Sequence, residues 1–130
     1  MARNHKARGT NAERDLIKKF WAHSWAAMRA AGSGSAHYPS PDVIAGNNVR
    51  KLAIECKLTT STRKYFTKEE VRLLKYFSDK FGCEPWLAVK FNREPWYFFM
   101  LEGVQETTAS YVVTLDAARS RGITFEELIE

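Results

Sequence analysis

The apolar residues of this chain fall into runs whose spacing predicts alternating helices and strands. Leu16, Ile17, Phe20 and Trp21 recur at helical spacing, and Thr10 or Asn11 is placed to cap their helix by accepting a backbone N–H bond. Residues 1–8 read as a short mobile arm ahead of it. The helical pattern ends near Ser24, and Trp25 to Arg29 reads as a short strand. Gly32-Ser33-Gly34-Ser35 is too flexible for a regular element and leads through Pro39 and Pro41 to a short strand, Asp42-Val43-Ile44-Ala45. Gly46-Asn47-Asn48 is turn material, so a hairpin is expected with a strand over Val49 to Leu58. Alternation puts Leu52, Ile54, Cys56 and Leu58 on one face of that strand, and Ala53, Glu55 and Lys57 on the other.

Thr59 to Tyr65 reads as a polar, basic loop. Thr67-Lys68-Glu69-Glu70 has the spacing of a capping box, with Thr67 as cap and Glu70 reaching back. The helix it opens turns Val71, Leu74, Phe77 and Phe81 inward, and Gly82 is placed to stop it. Pro85 to Phe91 and Trp96 to Leu101 read as strands around an Asn92-Arg93-Glu94-Pro95 turn. Residues 102–110 read as a loop, Tyr111 to Val113 as a small edge strand, and Leu115 to Arg121 as a helix, with Thr124 capping a last turn. This order predicts an α/β fold, a central mixed β-sheet flanked by α-helices, in one domain over residues 1–130. Trp86, Trp96, Tyr97, Phe98 and Phe99 crowd the later strands, which points to a subunit interface unless both faces of those strands are buried.

At 130 residues the chain has room for one real core, and its 45% hydrophobic content is that of a folded protein rather than a disordered one. The net charge of +5 and a pI near 9.3 suit an anionic partner such as nucleic acid. No apolar run approaches the length that spans a membrane, and the basic N-terminus lacks the apolar stretch of a signal peptide. Cys56 and Cys83 form neither a metal spacing nor a disulfide framework, so an intracellular, cytoplasmic, DNA-associated protein is expected. The Gly-Ser segment lacks the Lys-Ser/Thr ending of a phosphate-cradling loop, so no nucleotide cofactor is expected. His5, His23 and His37 show no metal or triad spacing.

Chemistry concentrates at the hairpin. If it forms, Asp42 at the start of one strand comes beside Glu55 on the next, with Lys57 on the same face as Glu55. Two carboxylates that close repel unless a proton or a cation lies between them. Hard oxygen ligands of this kind suit Mg²⁺ or Mn²⁺, which also bind a phosphate oxygen. A lysine beside them can neutralise charge developing on a phosphate or orient an attacking water. Hydrolysis of a phosphodiester needs these residue types. Glu13 points with the apolar face of the first helix toward the sheet, where a carboxylate is costly unless it is paired or bound to a cation. The bland alternatives are a surface Glu55–Lys57 ion pair, a turn aspartate, and a first-turn glutamate complementing the helix dipole.

Gly9-Thr10-Asn11-Ala12-Glu13-Arg14-Asp15-Leu16, then Arg29-Ala30-Ala31-Gly32-Ser33-Gly34-Ser35, then Pro41-Asp42-Val43, then Glu55-Cys56-Lys57 resembles the archaeal Holliday junction resolvases of the Hjc and Hje type. These are restriction-endonuclease-like nucleases with a PD-(D/E)xK core. The motifs stand in the right order with compatible gaps and cover roughly the first half of the chain. The resemblance implies that Asp42 and Glu55 are metal-binding carboxylates, Lys57 the catalytic lysine and Glu13 the helix glutamate that completes the acidic site. It implies that Ser33 helps position the scissile strand and that Arg14 and Arg29 serve activity or junction binding. It also implies a homodimer that cuts opposed strands of a four-way DNA junction with Mg²⁺, with Mn²⁺ as a substitute, and an archaeal or viral source. Ala31 and Gly32 stand where relatives often carry proline. Arg3, Lys6 and Arg8 of the arm, with Arg63 and Lys64 of the loop, flank the proposed site and are candidate phosphate contacts. The competing expectations are another PD-(D/E)xK repair nuclease and a catalytically silent junction-binding protein.

Overall fold

The computed structural model describes residues 2–30 and 38–130, with side chains from Ala7 onward. Along the chain run α1 (Ala2–Ala22), β1 (Ala26–Arg29), β2 (Val43–Gly46), β3 (Lys51–Thr59), β4 (Arg63–Thr67), α2 (Lys68–Phe81), β5 (Glu84–Phe91) and β6 (Trp96–Met100). A short 3₁₀ turn, β7 (Gln105–Glu106), β8 (Ser110–Thr114), α3 (Leu115–Arg121) and α4 (Phe125–Leu128) follow. The expected mixed sheet is present, with five strands in the order β1-β2-β3-β5-β6. Its β3–β5 pair is parallel and the other pairs are antiparallel. A parallel pair needs a crossover, and β4 with α2 supplies it.

Each face of this sheet carries its own apolar cluster. On one face Leu16 and Phe20 of α1 pack with Leu52, Ile54, Trp86, Trp96 and Phe98. On the other, Val71 and Leu74 of α2 pack with Ala53, Leu87, Val89 and Phe99. Covering β5 and β6 on both sides explains where the aromatic residues go. Trp86, Trp96, Phe98 and Phe99 are all buried, so the alternative of a strand packed on both faces holds and the expected interface on these rings does not. Phe81 departs from the expected inward face of α2: it is 49% exposed and stacks on Phe77, with ring centroids 5.4 Å apart. It is the last helical residue, with the Lys51 ammonium of β3 5.4 Å from its ring centre, and Gly82 then ends α2 in the left-handed region at φ 78°.

Further expectations are corrected. Residues 2–8 continue α1 instead of forming an arm, because Ala, Arg and Lys there are good helix formers. Thr10, now inside the helix, accepts a bond from Arg29 Nη2 at 3.3 Å rather than capping. The stretch expected as a basic loop contains β4, which pairs with β8 in a second, three-stranded sheet of order β4-β8-β7. Only Phe66 is buried in β4, so its strand pattern is faint, and pairing with a segment far along the chain decides its structure. For the same reason β8 is the centre of that sheet and not an edge.

The β2–β3 turn is held by Asn47, whose Oδ1 accepts from Val49 N at 2.8 Å and Arg50 N at 2.7 Å. Arg50 then ties the turn to β5 through Glu84 Oε1 at 2.8 Å and to the C-terminal segment through Leu128 O at 2.6 Å. Phe20 is the corresponding apolar anchor of α1, fully buried with its ring 5.7 Å from Trp25 and 5.0 Å from Phe125. Phe20→Ala is therefore expected to lower unfolding free energy by about 3–5 kcal/mol in urea titration, and a cost under about 1 kcal/mol would show that α1 is not held this way.

Candidate active site

The site arises from two strands of unequal length. β2 begins at Val43, opposite Ile54, while β3 runs on to Thr59. From Glu55 onward the edge of β3 that faced β2 has no strand partner among the described residues. Continuing the antiparallel count by one residue sets Asp42 opposite Glu55. Asp42 does not continue the ladder. Its Oδ2 accepts the backbone N–H of Cys56 at 2.8 Å, so a carboxylate replaces the missing strand. Pro41, itself buried, precedes it and holds the approach to β2 extended.

The two helices bring charge from opposite faces of the sheet. Glu13 of α1 comes from one side, and one ligand atom each of Glu13, Asp42 and Cys56 lies within 4.8 Å of the others. Arg29 Nε donates to Glu13 Oε1 at 2.8 Å. From the other side comes Glu70 of α2, whose Oε2 accepts from Lys57 Nζ at 2.6 Å. The Lys57 ammonium also lies 5.8 Å from the centre of the Phe66 ring. A cleft of about 270 Å³, bordered by Glu13, Cys56, Lys57 and Lys64, opens onto the site. Glu55 and Glu70 line a smaller hollow of about 100 Å³ with Ser40 and Pro41.

Electrostatics record the crowding. Burial, joined by the charges of Asp42 and Glu70, pushes the Glu55 carboxyl up to about 8. Asp42 is also raised by burial, although the Cys56 N–H, Lys57 and a hydrogen bond with Glu55 pull the other way. Glu13 is raised by burial and by Asp42 against the pull of Arg29. Glu70 alone is lowered: burial pulls it up, but its bonds with Lys57 and Thr67 outweigh that. Asp42 and Glu55 thus each resist ionising beside the other. Such a set of hard, underneutralised oxygens fits a divalent cation. Burial pushes the Cys56 thiol well up.

Ionising Glu55 is costly in the folded state. Its contribution to stability is thus complete below its ordinary 4.5 and is lost as pH rises through about 8. In chelator, the melting temperature is expected to fall across that window, by an equivalent on the order of a few kcal/mol. Glu55→Gln should flatten the fall. Parallel profiles for the two proteins would contradict the assignment.

Of the residues expected at the site, Glu13, Asp42, Glu55 and Lys57 come together. Ser33 lies outside the described residues, as do the side chains of Arg3 and Lys6. Arg29 sits within the acidic cluster, paired with Glu13, rather than alone on the surface. Arg14 and Arg63 are exposed, and Lys64 borders the cleft. Arg8 lines an adjacent hollow of about 430 Å³ that shares Leu58 and Trp96 with the cleft. Three cations of α2 are occupied on the surface: Lys68 by Glu106, Arg72 by Glu69 and Lys75 by Asp79. Glu70 is the residue that sequence reasoning missed. Its capping signal accounts for one oxygen and says nothing of the other.

The family model described as archaeal Holliday junction resolvase (Hjc) matches residues 4–130. The crossover junction endodeoxyribonuclease Hjc of Archaeoglobus fulgidus is 36% identical over 129 residues, covering 94% of this chain and 95% of that protein. The protein of the same name from Methanocaldococcus jannaschii is 34% identical over 126 residues, covering 96% and 90%. The crossover junction endodeoxyribonuclease Hje of Saccharolobus solfataricus is 32% identical over 111 residues, covering 83% and 79%. The 1.6 Å structure of Archaeoglobus fulgidus Hjc, a Holliday junction resolvase from an archaeal hyperthermophile, superposes with a TM-score of 0.87 at 34% identity, covering 94% of this chain and all of that one. With an acidic hairpin site built on the fold of these proteins, and a match along nearly its whole length, the chain belongs to the archaeal Holliday junction resolvase (Hjc) family.

Proposed function

We propose that this chain is a crossover junction endodeoxyribonuclease that resolves four-way DNA junctions by paired phosphodiester hydrolysis, with Glu13, Asp42, Glu55 and Lys57 as its catalytic centre. The observation that carries the site assignment is the crowding of Asp42 and Glu55 at an open strand edge beside a held lysine, with Glu55 raised to about 8. The family and the names of its relatives support the substrate.

Asp42, Glu55 and Glu13 are the residues that would hold Mg²⁺, or Mn²⁺ in its place. When bound there, the ion supplies charge neutralisation at the phosphate and lowers the pKa of a coordinated water. Lys57 presents its ammonium at the mouth of the cleft, where it meets charge growing on the phosphate oxygens as the new P–O bond forms and the bond to the sugar oxygen breaks. The Cys56 N–H keeps Asp42 from turning away, and Arg29 does the same for Glu13. Lys64 and Arg8 border the cleft and its neighbouring hollow and are suited to DNA phosphates, with Arg14 and Arg63 exposed farther out. Arg3, Lys6 and Ser33 complete the proposed DNA-contacting set. Arg29 joins it through Glu13. These contacts read backbone and shape, not bases.

A four-way junction has two-fold character, which a homodimer with two such sites would match. Tyr76 and Phe81 of α2, each 49% exposed, supply apolar surface suited to the contact. Analytical ultracentrifugation should give twice the 14.9 kDa chain mass, and a charge placed at Phe81 should shift it toward one chain. A single-chain mass at micromolar concentration would count against the dimer.

A labelled, immobile junction tests the activity. Wild type with Mg²⁺ should make paired, symmetric nicks, and chelator should stop them. Asp42→Asn should cut slower by about two to four orders of magnitude while still binding the junction. Cutting of linear duplex at the same rate, or Asp42→Asn cutting normally, would overturn the proposal.

A further inference from the structure

We infer that Glu70 is a positioning residue for cleavage: one carboxylate both caps α2 and holds the Lys57 ammonium in place. The inference rests on the reading of Lys57 given above.

A lysine has a flexible four-carbon stem, so presenting its ammonium at a defined point needs a partner that is itself immobile. Glu70 meets that need. Its Oε1 accepts from Thr67 N at 2.8 Å, and its own N–H donates to Thr67 Oγ1 at 2.9 Å. The carboxylate is therefore tied at both ends of the capping box before Oε2 meets Lys57 Nζ at 2.6 Å. The helix behind it is anchored by buried Val71 and Leu74. A continuous chain of contacts runs from the core through the cap to the lysine.

Two comparisons within the molecule separate this arrangement from ordinary capping and ordinary surface pairing. At α4 the same box is formed by Thr124 and Glu127, yet among the described residues the Glu127 side chain accepts only from Thr124 N. On α2 itself, Glu69 pairs with Arg72 with side chains 62% and 63% exposed, whereas Glu70 and Lys57 are 29% and 24% exposed. The Lys57 pair is shielded where the neighbouring pair is wet, and shielding strengthens and orders a charge-assisted bond. Glu70 also lines the hollow that holds Glu55, so it stands beside the proposed centre.

Glu70→Gln separates the two duties, because a glutamine can still accept from Thr67 N in the box but offers no charge to Lys57. Single-turnover cleavage of the junction by the full chain should fall about 10- to 100-fold, as expected when a reacting group is misplaced by about an ångström. Junction affinity and melting temperature should stay near wild type. Glu127→Gln, the same change at the other box, should leave cleavage unchanged. A metal-free readout is the Lys57 ammonium signal in ¹⁵N-lysine NMR, observable in wild type through slowed proton exchange and lost in Glu70→Gln. Cleavage by Glu70→Gln at the wild-type rate, with Lys57→Met inactive, would overturn this inference alone. Normal cleavage by Lys57→Met would overturn the reading of Lys57 and this inference with it. A loss of cleavage in Glu70→Gln that comes with a matching loss of melting temperature, or with an unchanged Lys57 signal, would reduce Glu70 to a cap.

Discussion

Placing Glu13, Asp42 and Glu55 together in a partly buried corner costs free energy, because each loses water and each repels the others. Most of the surrounding structure can be understood as what offsets or withstands that cost. The Cys56 N–H binds Asp42, Arg29 binds Glu13, and the charge of Lys57 favours the ionised forms of Asp42 and Glu55. None of these contacts would hold the carboxylates in position on a soft scaffold. Apolar packing on both faces of β3 provides the rigidity, and this is why a chain this small covers its central strands on each side.

The site has an underlying order across the sheet. α1 contributes an acid, Glu13, and beside it stands a base from β1, Arg29. α2 contributes another acid, Glu70, which takes a base from β3, Lys57. Between the two pairs lie Asp42 and Glu55, at the point where β2 has not begun and β3 continues. An open strand edge is normally a liability, since its unpaired groups invite another strand. Here the Asp42 carboxylate covers the first free N–H, and the rest of the edge faces a cleft bordered by lysines. The irregularity of the hairpin therefore leaves a cleft beside the acids.

Charge on the rest of the molecule is consistent with this division. Lys64 at the cleft and Arg8 at its neighbouring hollow have no acidic partner among the described residues, whereas Lys57 is paired with Glu70, and Lys68, Arg72 and Lys75 of α2 are matched by neighbouring acids. A net charge of +5, with unpaired cations beside the acidic corner among others, suits an anionic partner.

Local pattern was enough for the elements that mattered most. The hairpin turn at Gly46-Asn47-Asn48, the Thr67 cap with Gly82 as its stop, and the juxtaposition of Asp42 with Glu55 followed from turn chemistry, capping and the two-residue period of a strand, all of which act within a few residues. The motif resemblance added the family, and with it the junction as substrate. What only the tertiary structure decided depends on distant partners. β4 became a strand because β8 pairs with it, the tryptophans became core because helices cover both faces of β5 and β6, and α1 ran on to Ala2 where a basic arm was expected. Arg29 and Glu70 belong to the same class. In the sequence one is a free cation and the other a cap, because nothing local reveals which side chain will arrive across the sheet to use the remaining oxygen.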